Sequence, residues 1–176
     1  MLTSLNRYER KKNIPLAVKS FVEFLNLEKK ASGKDFDKQD ALLVIAGGWD
    51  PRVAENVEHD KELRKIVADE GVEDKVVFLK SISNDERLIL LERTNILLYT
   101  PENEHFGIVP VEAMHMGCIV IACNSGGPLE SVDHGVTGYL ITPNELLWGK
   151  KIHELLSSSD RDQQLQKMKE AAKARV

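Results

Sequence analysis

Apolar positions along this chain switch between two rhythms. Ile14, Val18, Phe21, Val22 and Leu25 recur at the spacing that lines one face of an α-helix. Ala41-Leu-Leu-Val-Ile-Ala46 and Cys118-Ile-Val-Ile-Ala-Cys123 are unbroken apolar runs, the pattern of strands covered on both faces. Leu2 to Asn6, Lys75 to Leu79, Asn95 to Tyr99 and Thr137 to Ile141 read as further strands. Asp50-Pro51 reads as a helix N-cap followed by proline at the first helical position, opening a helix to about Asp69. Ser83-Asn-Asp-Glu86 is a capping box that starts a helix running to about Arg93. Ile108 to Met116, a short Pro128 to His134, Asn144 to Ser157 and Asp160 to Arg175 complete the helices, and Gly33 to Asp40 is a polar loop.

Strands alternating with helices predict an α/β fold, a Rossmann-like parallel sheet of about six strands with helices on both faces. There is no repeat, low-complexity tract or obvious linker, so residues 1–176 read as one domain. The chain opens almost directly on a strand, which predicts a fragment whose partner half lies upstream.

Composition narrows the partners. With 176 residues, 42% of them hydrophobic, the chain can bury a substantial core. A net charge of −4 argues against a protein that coats nucleic acid or an anionic membrane. No apolar run approaches the ~20 residues needed to cross a bilayer. Arg7, Arg10, Lys11 and Lys12 are not followed by an apolar segment of signal-peptide length, so the chain reads as soluble. Cys118 and Cys123 stand five apart on one strand and so face opposite ways; they read as reduced core thiols in a cytosolic setting.

Open α/β sheets bind ligands outside the carboxyl ends of their strands. The turn after the Asn95 strand carries Glu104-His-Phe-Gly107, and the helix behind it carries Glu112, eight positions from Glu104. Glu104 can serve as an N-cap or as a ligand group. A carboxylate at Glu112 can accept two hydroxyl hydrogens at once, which suits a ribose diol. His105 is the one histidine with a claim to the site; the five show no metal-binding spacing. In the next turn, Gly126-Gly127 lacks Cβ atoms, which lets backbone N–H groups approach a phosphate or sugar at a helix start. Arg7 and Lys12, with Lys11 as the alternative, lie in a third turn on the same edge, where cations can hold a diphosphate. Gly47-Gly48 fits neither a dinucleotide fingerprint nor a Walker loop and reads as a turn.

Together these motifs resemble the C-terminal, nucleotide-binding half of the retaining GT-B glycosyltransferases of group 1. Glu104 to Glu112 matches the family's Glu-x₇-Glu, Gly126 to Glu130 its Gly-Gly-x-x-Glu, and Gly135-Val-Thr-Gly138-Tyr-Leu its Gly-x-Thr-Gly-x-Leu. Asn6-Arg7 and Lys12-Asn13 are similar to the family's Gly-Arg…Lys-Gly phosphate grip, with Asn in place of both glycines. Asn103 to Pro110 and Asn124 to Ser131 further resemble the α-1,3/1,6-mannosyltransferases of dolichol-linked oligosaccharide assembly.

The resemblance implies GDP-mannose as donor and no metal or other cofactor. Arg7 and Lys12 would hold the diphosphate and Glu112 the ribose. Glu104 and amides near Phe106, Gly107, Gly126 and Gly127 would hold mannose or the β-phosphate, and backbone at Ser81 and Ile82 the guanine. It also implies a lipid-linked oligosaccharide acceptor held by an N-terminal domain. The full-length protein would lie on the cytosolic face of the endoplasmic reticulum membrane, and the isolated fragment would be inactive in transfer. A UDP- or ADP-sugar transferase, a phosphorylase, or a noncatalytic nucleotide-sugar-binding module are the alternatives.

Overall fold

The computed structural model describes residues 1–33, 41–157 and 161–175. Six strands, β1 (Leu2–Leu5), β2 (Leu43–Gly47), β3 (Val76–Lys80), β4 (Ile96–Tyr99), β5 (Ile119–Cys123) and β6 (Gly138–Ile141), form one sheet in the order β3-β2-β1-β4-β5-β6. Every pairing is parallel; Leu5 stands beside Ala46, and Tyr99 beside Ala122. Sequence order reverses between β1 and β4, so the turns after those two strands diverge and leave a crevice at the switch point.

The strands are buried on both sides, as their unbroken apolar runs require. Leu2, Leu43, Ile45, Ile96, Leu98, Ile119 and Ile121 face one way. They pack against α1 (Ile14–Ser32), α2 (Ala54–Asp69) and α6 (Glu145–Ser157) through side chains such as Phe21, Leu63 and Trp148. Leu5, Ala46, Leu97, Tyr99, Val120 and Ala122 face the other way. Their partners include Leu91 of α3 (Asn84–Glu92), Met114 of α4 (Ile108–His115) and Ala172 of α7 (Arg161–Arg175). Each fully buried Leu, Ile or Phe contributes roughly 1.5–3 kcal/mol relative to an exposed one. Cys118 and Cys123 fall in the two different cores, as their spacing predicts, and both are free thiols.

Two helix boundaries and two short turns differ from the sequence reading. The helix expected from Asp50-Pro51 starts at Ala54. Asp50 instead closes a local turn, its carboxylate accepting from the Arg52 N–H at 2.9 Å and its carbonyl from Val53 N–H at 3.1 Å. The helix expected to run to His134 is the four-residue α5 (Pro128–Ser131). It ends because Asp133 and Thr137 form their own turn, with Asp133 N–H donating to Thr137 Oγ1 at 2.8 Å. Short 3₁₀ turns at Arg10–Lys12 and Glu73–Lys75 were not anticipated. The capping box at Ser83 and Glu86 is formed in both directions. The polar loop expected after Gly33 and the start expected for the last helix at Asp160 lie outside the described residues.

Candidate functional site: a cationic cleft at the sheet's switch point

The crevice between the β1 and β4 turns opens into a cleft of about 500 Å³. It collects residues from five chain segments: Arg7 and Lys12 after β1, Gly47 and Gly48 at the end of β2, Ser81 and Ile82 after β3, Arg87 on α3, and Glu104 to Val109 around the start of α4, where His105 is not part of the wall. Three cations line it, Arg7, Lys12 and Arg87, against one carboxylate, Glu104. In a chain whose net charge is −4, that local excess of positive charge suits an anionic ligand.

Lys12 is the best-anchored cation. It sits at the end of the 3₁₀ turn, followed by Asn13 in the left-handed region at φ 49°. Asparagine tolerates that conformation better than most residues with a side chain; Asn6, by contrast, does not have a positive φ. Thr100 Oγ1, at the end of β4, donates to the Lys12 carbonyl at 2.6 Å and ties the two sides of the crevice together. The Lys12 side chain is 8% exposed and its Nζ donates to Glu104 Oε1 at 2.6 Å. Lys11 is 66% exposed, pairs with Glu9 and does not line the cleft, so the geometry selects Lys12 over its neighbour. Arg7 is equally exposed, lies 3.3 Å from Glu9 and lines the cleft.

The opposite wall is the N-terminus of α4. Gly107 is its N-cap in the left-handed region, and Ile108 and Val109 of its first turn line the cleft. The third helical residue is Pro110, which has no N–H to satisfy. No acid occupies the first turn, so the positive end of the helix faces the ligand space without a competing side chain. Tyr99 lines the floor; burial, and then the Glu104 charge, push its phenol up to about 12, so it stays protonated and able to donate.

Of the residues expected from sequence, Arg7, Lys12, Ser81, Ile82, Glu104, Phe106 and Gly107 line the cleft. Glu112, His105, Gly126 and Gly127 do not. Glu112 stands behind Arg87, whose Nη1 donates to Glu112 Oε2 at 2.8 Å. His105 is exposed. Gly126 and Gly127 act on the cleft through its wall. Their missing Cβ atoms would lie 2.3 Å from Glu104 O and 2.1 Å from Phe106 O, and Gly127 N–H donates to Glu104 O at 2.7 Å. The glycine pair therefore lets the β5 turn stack on the β4 turn and fixes the backbone that carries Glu104. The Gly127 amide, expected to face a ligand, is spent on that stacking.

Ser81, at the base of the cleft, has φ 51°, unusual for a residue with a side chain. Its Oγ donates to Trp49 O at 2.5 Å and its N–H to Gly47 O at 2.8 Å, which holds the turn in place. Asn56 joins the neighbouring turns, its Nδ2 donating to Tyr8 O at 2.9 Å and its Oδ1 accepting from Asp50 N–H at 3.0 Å. Arg87, Tyr99 and Asn56 were not singled out from sequence, because nothing in their local spacing distinguishes them from ordinary helix and strand residues. Among the described residues no group of three or more His, Cys, Asp or Glu is placed to hold a metal ion.

A family model described as "Glycosyl transferases group 1" matches residues 1–175. The chain belongs to this family. It is 47% identical over 156 residues to the human Alpha-1,3/1,6-mannosyltransferase ALG2, an alignment covering 89% of this chain and 36% of that protein. The Dictyostelium discoideum Alpha-1,3/1,6-mannosyltransferase ALG2 is 48% identical over 141 residues, 80% of this chain and 33% of that protein. This group 1 domain thus spans about a third of the length of the curated relatives it matches. Among solved structures, Anabaena Alr3699/HepE in complex with UDP superposes with a TM-score of 0.78 at 21% identity, over 98% of this chain and 42% of that one. At that identity the likeness concerns the fold, a Rossmann-like half of GT-B type. No helix among the described residues is long and apolar enough to cross a membrane.

Proposed function

We propose that this chain is the donor-binding half of a retaining mannosyltransferase that uses GDP-mannose to extend a dolichol-linked oligosaccharide with α-1,3 and α-1,6 mannose. The observation that carries the donor site is the buried Lys12, held on Glu104 at 2.6 Å in a cleft where a helix N-terminus and two further cations converge. The mannosyl assignment rests on the likeness to the ALG2 proteins, and the acceptor on the motif resemblance read from the sequence.

In this reading Lys12 and Arg7 hold the diphosphate, with the Ile108 and Val109 amides beside them. Glu104 accepts hydroxyl hydrogens of the mannose, Glu112 those of the ribose, and backbone at Ser81 and Ile82 meets the guanine. Negative charge grows on the departing GDP as the glycosidic bond breaks, and preorganised cations and amides stabilise it. One such donor is typically worth ~10²–10³ in rate. Fixed cations do this work without a metal. The lipid-linked acceptor is held by the remainder of the full-length protein, at the cytosolic face of the endoplasmic reticulum, so this chain alone binds donor without transferring mannose.

Calorimetric titration with GDP, UDP and ADP, each with and without Mg²⁺, tests the reading. Tightest binding to GDP, unchanged by Mg²⁺, supports it. Preference for UDP or ADP overturns the mannosyl assignment and leaves a different sugar-nucleotide transferase. Absence of binding overturns the donor-site role of this chain and favours a noncatalytic module. Glu104→Gln should spare GDP and weaken GDP-mannose, whereas Glu112→Gln should weaken both by roughly 10-fold or more, the loss of one hydrogen bond to a charged group.

A further inference from the structure

Arg87 and Glu112 form an ion pair that joins α3 to α4 at the cleft wall. Arg87 lies in the second turn of α3, whose start is fixed by the Ser83 capping box, and its own N–H donates to Ser83 O at 2.9 Å. Its guanidinium reaches across to α4 and forms part of the cleft wall. Glu112 lies behind it, and the two side chains are 30% and 26% exposed.

An ion pair at that exposure adds little to stability. Arginine–carboxylate pairs are frequently bidentate, with two parallel bonds from the guanidinium fork. Here the contact is a single bond from Nη1 to Oε2, and Arg87 Nε is buried without a hydrogen-bond partner. Among the described residues Glu112 is the one acceptor recorded for the guanidinium, and Oε1 of Glu112 has no recorded partner. One carboxylate oxygen is therefore pinned, while the other carries no hydrogen bond among the described residues, on a side chain 26% exposed just behind the cleft wall that Arg87 forms.

We propose that Arg87 is a positioning residue for Glu112. It fixes the carboxylate so that Oε1 accepts a ribose hydroxyl, and it thereby sets discrimination between ribonucleotide and 2′-deoxyribonucleotide donors. The proposal rests on the donor-site reading above. Without Arg87 the carboxylate rotates freely and is drawn into solvent, so a hydroxyl gains less by meeting it.

The test is calorimetric titration of the chain with GDP and with 2′-deoxy-GDP, for the parent and for Arg87→Met, Arg87→Lys and Glu112→Gln, with folding checked by circular dichroism. The parent should bind GDP roughly 10-fold or more tighter than the deoxy analogue, the value of a hydroxyl bonded to a charged acceptor. Arg87→Met should reduce that ratio to about threefold or less, Glu112→Gln should do the same, and Arg87→Lys should retain part of it, because an ammonium can still reach Oε2 but without the planar guanidinium's fixed orientation. If Arg87→Met weakens both ligands equally and keeps the parent ratio while Glu112→Gln loses it, Arg87 does not position the carboxylate and the proposal is overturned. If Glu112→Gln also keeps the ratio, the ribose role of Glu112 falls and the proposal with it. A parent that binds no guanine nucleotide overturns the donor-site reading itself.

Discussion

Replacing Gly127 by alanine isolates the contact on which the geometry of Glu104 depends. Gly127 has φ −53° and ψ −36°, ordinary helical values that alanine adopts without strain. On backbone grounds alone the change would stabilise the protein by about 0.4–1 kcal/mol through the unfolded chain. The packing reverses the sign. The new Cβ would lie 2.1 Å from Phe106 O, 2.3 Å from Phe106 C and 2.6 Å from Phe106 Cα, where ordinary contact begins at 3.4 Å. All three are backbone atoms, so no side chain can swing aside, and the β4 turn must retreat by more than an ångström. That movement also strains the bond from Gly127 N–H to Glu104 O. Overpacking of this kind costs about 1–3 kcal/mol, so urea denaturation should show a net loss in that range. Because the displaced backbone carries Glu104 and Phe106, titration should show GDP-mannose weakened more than GDP. Gly135→Ala is the control. Gly135 has φ +81° with nothing within 4 Å of an added Cβ. Its loss should cost about 1–2 kcal/mol of backbone strain and leave nucleotide affinity unchanged. A Gly127→Ala protein with parental stability and donor affinity would refute the account of the stacked turns.

Further predictions follow from single side chains. Lys12→Met should weaken GDP binding by roughly 10–100-fold, as expected for a charged hydrogen-bond donor, whereas Lys11→Met should change it by less than about threefold, since that ammonium is exposed and paired with Glu9. Equal effects would show that the wrong lysine has been chosen. The thiols of Cys118 and Cys123 are each pushed up to about 12, chiefly by burial, so a thiol reagent at pH 8 should label neither until denaturant is added; rapid labelling of native protein would contradict their packing. Glu62 is lowered from 4.5 to about 2, first by the Arg10 hydrogen bond and then by His59. A depressed carboxylate contributes stability above its unfolded value and loses it as pH falls from 4.5 toward 2. NMR titration of the Glu62 carboxyl should give the low midpoint in the parent and a higher one in Arg10→Ala; an ordinary midpoint in the parent would show that the pair does not persist in solution.

The layout of the sheet was legible because two-sided burial forces strands such as Val44 to Ala46 and Ile119 to Ala122 to be continuously apolar. The turns were legible as positions but less so as roles. Asp50-Pro51 satisfies the rules for a helix start, yet its carboxylate is used two residues on, at the Arg52 amide, and the helix begins later. Gly126-Gly127 carries the same letters whether the missing Cβ admits a phosphate or a neighbouring turn, and only the 2.1 Å approach to Phe106 O separates the two.

What the sequence hides above all is which charges meet. Lys12 and Glu104 are 92 residues apart and Arg87 and Glu112 are 25 apart, beyond any spacing rule for helices or hairpins. They meet because a parallel sheet returns every βα turn to the same edge. A reader of the chain can therefore name the turns that supply cations and the segment that supplies acids. The pairing follows from strand order, and here the reversal between β1 and β4 sets Lys12 against the start of the Glu104–Glu112 segment while α3 brings Arg87 to its end. Each acid thus has its own cation, one pair nearly buried at Lys12 and one part-buried at Arg87, and under the proposed donor site the first would meet the diphosphate and sugar and the second the ribose. Substitution of one cation should then change recognition of one part of the donor and leave the other intact.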